Sequence, residues 1–563
     1  MNNDQDLTRR SFLARTAVLT SCGATLARPA FPVPTSSTYI DLIREPNCVK
    51  VYANLSRPIV LSRSATRWSA SGVELSTERE DCALKVSVLE AVEGLTHIHV
   101  RWESPLPESL WFLGDQWERS YGDLGWRTMT PERVMPWYFS TYDGESVHGY
   151  GVETGAGALC FWQADPVGVS LWLDISNGGG GVDLAGRQLH AATVVTRKGQ
   201  PGEDALSALG SFCRRMCKKP RLIQEAIYGT NDWYYAYGES TPEAILQDAE
   251  LASELRPQHG PSPFTVVDGG WEDNSRFPDM QQLADAIRGR GVRPGIWVRV
   301  LQAAQQTNAA LLMPDARMDG EPNGSRTPTY DPTVPDGLEA ISQRLAQLKA
   351  WGYEFVKHDF STYDLLGQWG NSMGPRLTVS GWSFHDKTKT NAEIISALYE
   401  KIRGVLGQDV LILGCNTIGH LGAGIFDLQR IGDDTGLKGN NADQLWERIR
   451  RIGVNSVSFR LPQHRHFFVV DGDCVPVTGV LPWQQGRQWL DFIASSGTAL
   501  FVSVEKRALG SKQKRALAAA FEIAASKPSL TTATDWFQST TPGKWSRKSY
   551  SWCTAEGSYP FSV

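Results

Sequence analysis

From about residue 225 to residue 505 the chain repeats one rhythm: a short apolar run rich in β-branched and aromatic residues, a loop, then a helical pattern. The runs read AIYGT, FTVVD, RPGIWVRV, YEFVKHD, VLILG, FDLQRIG, HFFVV and TALFVSV. Between most of them lie stretches with apolar residues at helical spacing, such as TPEAILQDAELASEL, DGLEAISQRLAQLKAWG and NAEIISALYEKIRGVL. Strands that alternate with helices dictate a parallel sheet, because a parallel return needs a long crossover. Eight such units predict an α/β fold, a (β/α)8 TIM barrel. One link is poor: CNTIGHLGAGI, between the fifth and sixth runs, shows no helix.

The flanking segments read differently. Residues 35–205 hold many short alternating runs, including LTHIHVRWE, ALCFWQAD and GVSLWLDIS, broken by turn-rich stretches such as SNGGGGVD. That pattern predicts a β-sandwich. A helical passage, GEDALSALGSFCRRMCKK, leads out of it, with Cys213 and Cys217 one turn apart as core thiols. The expected organisation is an export signal over 1–30, the sandwich over 35–205, the barrel over 225–528 and a short C-terminal β segment over 529–563.

The signal rests on TRRSFLA, Thr8 to Ala14, followed by an uncharged stretch too short to span a membrane. Paired arginines in that setting resemble a twin-arginine export signal. LTSC, ending at Cys22, also resembles a lipobox, with Cys22 as the lipid anchor; the alternative is cleavage near Ala27 or Ala30. The expected location is therefore periplasmic, secreted or lipid-anchored, with no membrane-spanning segment. The remaining cysteines are scattered without metal-ligand spacing, so no metal site and no cofactor is expected. A net charge of -5 gives no reason to expect nucleic-acid binding. The 20 Trp, 16 Tyr and 20 Phe serve either core filling or stacking on sugar rings.

Active sites of TIM barrels lie at the C-terminal ends of the strands. Those ends carry Asp268, Trp297, Lys357, Asp359, Cys415, Arg430, Asp433, Asp434, Asp471 and Asp473, so charge is concentrated at one rim. In YEFVKHD, Lys357 and Asp359 share a face, while His358 points outward to the helices as a packing residue. Two carboxylates on non-adjacent strands are what glycoside hydrolysis requires. Asp359 and one of Asp433 or Asp434 are the candidates. Lys357 beside Asp359 would hold that nucleophile ionised, and the acid partner needs a pKa raised by burial and a neighbouring carboxylate.

The ordered motifs VVDGGW, RPGIWVR, YEFVKHDF, ILGC, RIGDDT and HFFVVDGDC resemble the α-galactosidase superfamily of retaining glycosidases. The likeness is to the group with an N-terminal β-supersandwich. It implies Asp359 as nucleophile and Asp434, four residues after Arg430, as acid/base. It also implies that Arg430 contacts the 2-hydroxyl side of the sugar and Lys357 the 3- and 4-hydroxyls. Cys415, Trp233 and Trp297 match wall positions, and Asp433 is a neighbour exchangeable with Asp434 in this assignment. Asp268 matches a sugar-gripping carboxylate, whereas Asp471 and Asp473 read as structural. Relatives carry a second Asp where this chain has Gly269, which puts galactose preference in question. The implied partner is a carbohydrate bearing galactose, N-acetylgalactosamine, β-L-arabinopyranose or glucose. A transglycosylase of the raffinose-synthase kind and a non-catalytic carbohydrate-binding protein are the other readings.

Overall fold

The computed structural model describes residues 38–552, apart from 54–56, 92–93, 322–323, 325, 529–531 and 547. The export signal expected over 1–30, Cys22 and the end of the C-terminal segment lie outside the described residues.

Eight parallel strands make the barrel: β1 (Tyr228–Asn231), β2 (Phe264–Val267), β3 (Arg293–Arg299), β4 (Phe355–Asp359), β5 (Leu411–Gly414), β6 (Leu428–Arg430), β7 (Val469–Asp471) and β8 (Leu500–Val504). They pair in chain order and β8 returns to β1. A bridge between Asp471 and Ala499 joins β7 to β8, with the Ala499 N–H donating to the Val470 carbonyl at 2.9 Å. That bridge closes the ring.

Alternation along each strand divides the barrel interior into two levels. Phe264, Phe355, Leu411, Leu413, Leu428, Val469 and Phe501 pack together as an apolar plug, with the Phe355 ring centroid 5.2 Å from Phe264 and 5.5 Å from Phe501. Above it the same inward faces turn polar: Phe355 is followed by Lys357 and Asp359, Val266 by Asp268, Leu413 by Cys415, and Leu428 by Arg430. The intervening positions face the helices. His358 is one of them, packed between Tyr399 and Phe426 with neither ring nitrogen hydrogen-bonded. Burial lowers its pKa to about 3, so the ring is neutral.

The crossover between β5 and β6 holds a four-residue helix, Gly419–Gly422, where the sequence shows none. The sandwich packs directly against this short helix. His420 stacks on Trp137 at 4.7 Å and its Nε2 lies 3.1 Å from the Val152 carbonyl oxygen.

The sandwich pairs a six-stranded with a nine-stranded antiparallel sheet. Its strands alternate as expected of half-buried sheets; Leu84, Val86 and Val88 are all fully buried. The helix Ala205–Met216 is capped by Asp204 and lays Phe212 over Gly149, where any Cβ would stand 2.3 Å from the ring. Cys213 and Cys217 are buried thiols. The SNGGGGVD stretch is a docking loop. Its Asn177 donates to the Asp386 and Lys389 carbonyls of the barrel at 2.8 Å and accepts from the Phe384 N–H at 3.0 Å.

Behind the last barrel helix, Ser511–Ala525, the described tail forms a hairpin of two-residue strands, Lys544–Trp545 and Lys548–Ser549. It straps the two units together. Phe537 stacks on Tyr142 of the sandwich at 4.1 Å, while Trp552 and Tyr550 pack edge-on against Phe492 of a barrel helix.

Candidate active site

The polar level of the barrel gathers every rim residue named from the sequence, and its pairings are specific. Lys357 donates to Asp268 at 2.7 Å, not to Asp359. This corrects the expectation that Lys357 serves its strand neighbour. Residues two apart on one strand lie side by side, whereas inward residues of alternate strands share a layer and converge. β2 and β4 are such a pair. Burial disfavours the Lys357 ammonium, but Asp268 outweighs it and holds the group charged. Asn231, at the end of β1, donates to the same Asp268 oxygen at 2.8 Å.

Asp359 is held from another side. The indole Nε1 of Trp297 donates to its Oδ2 at 3.0 Å, and the Phe360 N–H donates to Oδ1 at 2.7 Å. Phe360 has φ 68°, a left-handed conformation that costs energy for an aromatic residue. Arg299 lies over its ring at 4.4 Å and grips Asp364 through two nitrogens, which fixes the turn. Asn416 after β5 and Asp473 after β7 also have positive φ, so three strand ends at this rim carry strain.

Across the pocket Arg430 is buried, with a carboxylate near each of its three nitrogens. Its Nε lies 3.0 Å from Asp471 and a terminal nitrogen 2.7 Å from Asp473. Its other terminal nitrogen approaches Asp434 at 3.5 Å. Asp473 further accepts from the Thr435 N–H at 2.7 Å and from the Tyr234 hydroxyl. Asp471 and Asp473 thus position Arg430 and the backbone beside Asp434.

Asp433 and Asp434 differ in environment. Asp433 is clamped by Arg448 at 2.8 Å and faced by Arg119 at 3.4 Å, with 12% of its side chain exposed. Asp434 has only looser cationic neighbours, Arg430 at 3.5 Å and Arg119 at 3.6 Å, and 27% of its side chain is exposed. Burial, then Asp433, push the Asp434 carboxyl above the usual carboxylate range. A carboxyl whose pKa is raised and whose side chain reaches the pocket is suited to give up a proton there.

Two residues of this site come from the sandwich and were not found from sequence. The loop between the strands Trp111–Gly114 and Arg127–Thr128 adds a rung to the end of β6. Ser120 N–H donates to the Ile431 carbonyl at 2.8 Å, and the Asp433 N–H donates back to Ser120 at 2.9 Å. That rung delivers Arg119 between Asp433, Asp434 and the ring of Trp369, 5.8 Å away. Glu118 beside it accepts from the Gly370 N–H at 3.0 Å and from Asn416 and Tyr121. The only signal was a long aperiodic loop carrying Glu-Arg among aromatic residues, and nothing in it points to the barrel.

Trp233 packs edge-on to Tyr237 at 5.5 Å, half-buried near the pocket wall. Cys415 is buried, and burial pushes its thiol up. Gly269 has open room: an added Cβ would meet the Trp297 ring at 3.4 Å, ordinary contact. No cluster able to hold a metal ion is found among the described residues. Behind Asp268 lies a further acid, Asp232, 1% exposed, whose Oδ1 accepts the Asp268 N–H at 2.7 Å while its Oδ2 makes no hydrogen bond of good geometry among the described residues.

Burial and then Asp268 raise the Asp232 pKa to about 7. An unfolded aspartate titrates near about 3.9, so the folded chain holds the extra proton between those values. Stability from this group is complete below the lower value and is lost as pH rises through about 7. Asp232→Asn, which keeps the Oδ1 acceptor, removes that loss. Its stability relative to wild type rises with pH, by up to about 1.4 kcal/mol per unit, and levels off above about pH 8. Melting temperatures measured from pH 5 to 8.5 check this; a gap that does not change with pH contradicts it.

No family model matches the chain. Solved structures do. An α-galactosidase from Thermus thermophilus, solved with stachyose, is 17% identical over 80% of this chain and 96% of that one, with a TM-score of 0.56. An α-galactosidase from Lactobacillus brevis is 11% identical over 85% of this chain and 70% of that one, with a TM-score of 0.54. A GH36 α-galactosidase from Geobacillus stearothermophilus is 12% identical over 81% of this chain and 67% of that one, with a TM-score of 0.52. The chain shares the fold of these α-galactosidases, a β-sandwich set ahead of a TIM-like barrel.

Proposed function

We propose that this chain is an exported retaining glycoside hydrolase that removes terminal α-galactosyl or stereochemically related residues by double displacement. The observation that carries the reading is the contrast between two carboxyl groups at the same rim, after the alternate strands β4 and β6: Asp359, held by N–H donors, and Asp434, pushed up by burial and Asp433. Opposed environments assign opposed tasks. The Asp359 carboxylate attacks the anomeric carbon while Asp434 gives its proton to the glycosidic oxygen, and the alcohol departs. Asp434, now ionised, is stabilised by Arg119 and Arg430. It then takes a proton from water, which attacks the same carbon and releases Asp359.

Lys357, Asp268 and Arg430 bind the sugar hydroxyls in this reading, Trp297 and Trp233 wall the pocket, and Cys415 lines it. Asp433 tunes Asp434. Asp232, Arg119 and Glu118 support the first layer. The likeness to α-galactosidases solved with stachyose and with a nitrophenyl galactoside supports a galactoside as substrate. Gly269 leaves other glycones open, because a site without one hydroxyl-gripping carboxylate discriminates less against analogues. Export rests on the paired Arg9 and Arg10 and their apolar sequel, with Cys22 as the lipid-anchor candidate.

Purified protein is expected to release nitrophenol from one of p-nitrophenyl α-galactoside, N-acetyl-α-galactosaminide, β-L-arabinopyranoside or α-glucoside, and Asp359→Ala to lower kcat by about 10³-fold or more. Turnover that survives in Asp359→Ala contradicts the nucleophile assignment, and silence on all four substrates favours a binding protein. At Gly269 the Cβ of an aspartate meets the Trp297 ring at 3.4 Å, an ordinary contact, so Gly269→Asp is the substitution to make. It is expected to shift kcat/KM toward α-galactoside by about tenfold relative to the other glycones; an unchanged ratio shows that position 269 does not set the preference.

A further inference from the structure

Between β3 and the next barrel helix, Pro335–Ala350, the chain makes an excursion over residues 300–334. Its described residues form two short 3-10 turns, Ala309–Leu311 and Asp315–Gly320. Connections of this length are uncommon in compact domains and usually carry function. The excursion is tied to one residue of the neighbouring loop, Asp364. The Nε of Arg317, a residue 2% exposed, donates to the Asp364 carbonyl at 2.7 Å. Arg299, where β3 ends, holds the Asp364 carboxylate with Nη2 at 2.5 Å and Nε at 3.1 Å. Its Nη1 donates to the Thr327 Oγ1 of the excursion at 3.3 Å. Two buried arginines thus grip Asp364, one by its main chain and one by its side chain.

Asp364 lies in the helix Ser361–Leu366, which begins directly after the strand that ends at Asp359. That helix is bracketed by left-handed residues, Phe360 at φ 68° and Gly367 at φ 72°. Glycine adopts this backbone freely, and a Cβ at Gly367 would stand 2.0 Å from the Arg317 carbonyl oxygen. Phe360 has no such freedom, because its Cβ crowds the following carbonyl. It is held from outside. Arg299 lies over its ring at 4.4 Å, and Trp297 and Trp369 stand edge-on to it at 6.3 and 5.5 Å. The Asp364 N–H donates to the Phe360 carbonyl at 2.8 Å. Asn416 accepts the N–H groups of Thr362 and Tyr363 at 3.1 and 3.3 Å, which fixes the start of the helix.

This turn reaches the chemistry through Asp359. With Phe360 left-handed, its N–H meets the Asp359 Oδ1 at 2.7 Å, while Trp297 from the same enclosure donates to Oδ2 at 3.0 Å. A change of φ at Phe360 rotates the Asp359–Phe360 peptide plane and takes that N–H off the carboxylate. A reacting group misplaced by about 1 Å can cost about 10²-fold in rate.

We propose that Arg299, backed by Arg317 and the 300–334 excursion, is a positioning residue for the nucleophile: by holding Asp364 and the Phe360 ring, it keeps the strained turn that aims Asp359. This role rests on the glycosidase reading and deepens it, since it gives the long connection after β3 a task in the first chemical step.

Arg299→Lys tests it, because lysine keeps a charge beside Asp364 and loses the paired, planar grip. On the glycoside that the wild-type chain hydrolyses, kcat and kcat/KM are expected to fall together by about tenfold or more. In Phe360→Gly the left-handed turn carries no strain, so the same substitution is expected to cost less than about threefold there. Phe360→Asn, which also tolerates that backbone, repeats the cycle with a side chain in place. An equal loss in all three backgrounds, as a merely structural role would give, overturns the proposal, and so does the absence of any loss in the first. A second measurement does not need turnover. The crystal structure of Arg299→Lys is expected to show Phe360 outside the left-handed region with its N–H off Asp359, and an unchanged turn overturns the role. That same shift, in a chain whose wild type cleaves no glycoside, upholds the clamp on Asp359 and overturns the hydrolase reading.

Discussion

One buried positive charge, Arg430, organises the rim. A guanidinium taken out of water is tolerable only when its partners are fixed, and each partner here imposes something on the chain. Asp471 and Asp473 lie on either side of Gly472, where β7 breaks, and Asp473 reaches Arg430 from a left-handed backbone. The same Asp473 oxygen that accepts the Tyr234 hydroxyl also accepts the Thr435 N–H and hydroxyl, so the residue after Asp434 is pinned. Asp434 is left with an incomplete pairing to Arg430 at 3.5 Å. Strain and full pairing behind it leave one carboxyl that is partly buried, loosely paired and raised in pKa.

The site is composite. A single rung of parallel backbone pairing, Ser120 with Gly432, carries the sandwich into the barrel rim. Around it Arg460 ties the units together, donating to Asp115 at 2.6 Å, to the Ile431 carbonyl at 3.0 Å and to the Gln116 carbonyl at 3.1 Å. Arg119 needs that rung: without it nothing holds a second cation over Asp433 and Asp434. The fold of the N-terminal unit is thereby linked to the charge state of a carboxyl in the C-terminal one.

The barrel was legible because its strands are nearly continuous apolar runs, and period-two alternation predicted which residues face inward. Phe355, Lys357 and Asp359 share one face for that reason, and the same rule sends His358 to the helices. What the rule does not supply is which inward side chains meet. Lys357 reaches Asp268 because alternate strands share a layer, a relation that local spacing does not carry. Glu118 and Arg119 were illegible because their loop lacks periodicity and its partner lies 298 residues away, from Glu118 to Asn416. The short helix between β5 and β6 was illegible for a similar reason: its packing partner, Trp137, belongs to the sandwich and is remote in sequence. Asp232 reads as an ordinary turn residue until its burial is known.

Double displacement requires that Asp359 become covalently bonded to the sugar while Asp434 handles the proton. A 5-fluoro glycosyl fluoride of the hydrolysed glycone slows both oxocarbenium-like steps, while its fluoride leaving group favours the first, so the intermediate accumulates. Mass spectrometry of the digested protein then reads where the label sits. One fluorosugar per chain is expected, on the peptide that contains Asp359. Label on another carboxylate, or hydrolysis of the fluoride with no covalent adduct, contradicts it.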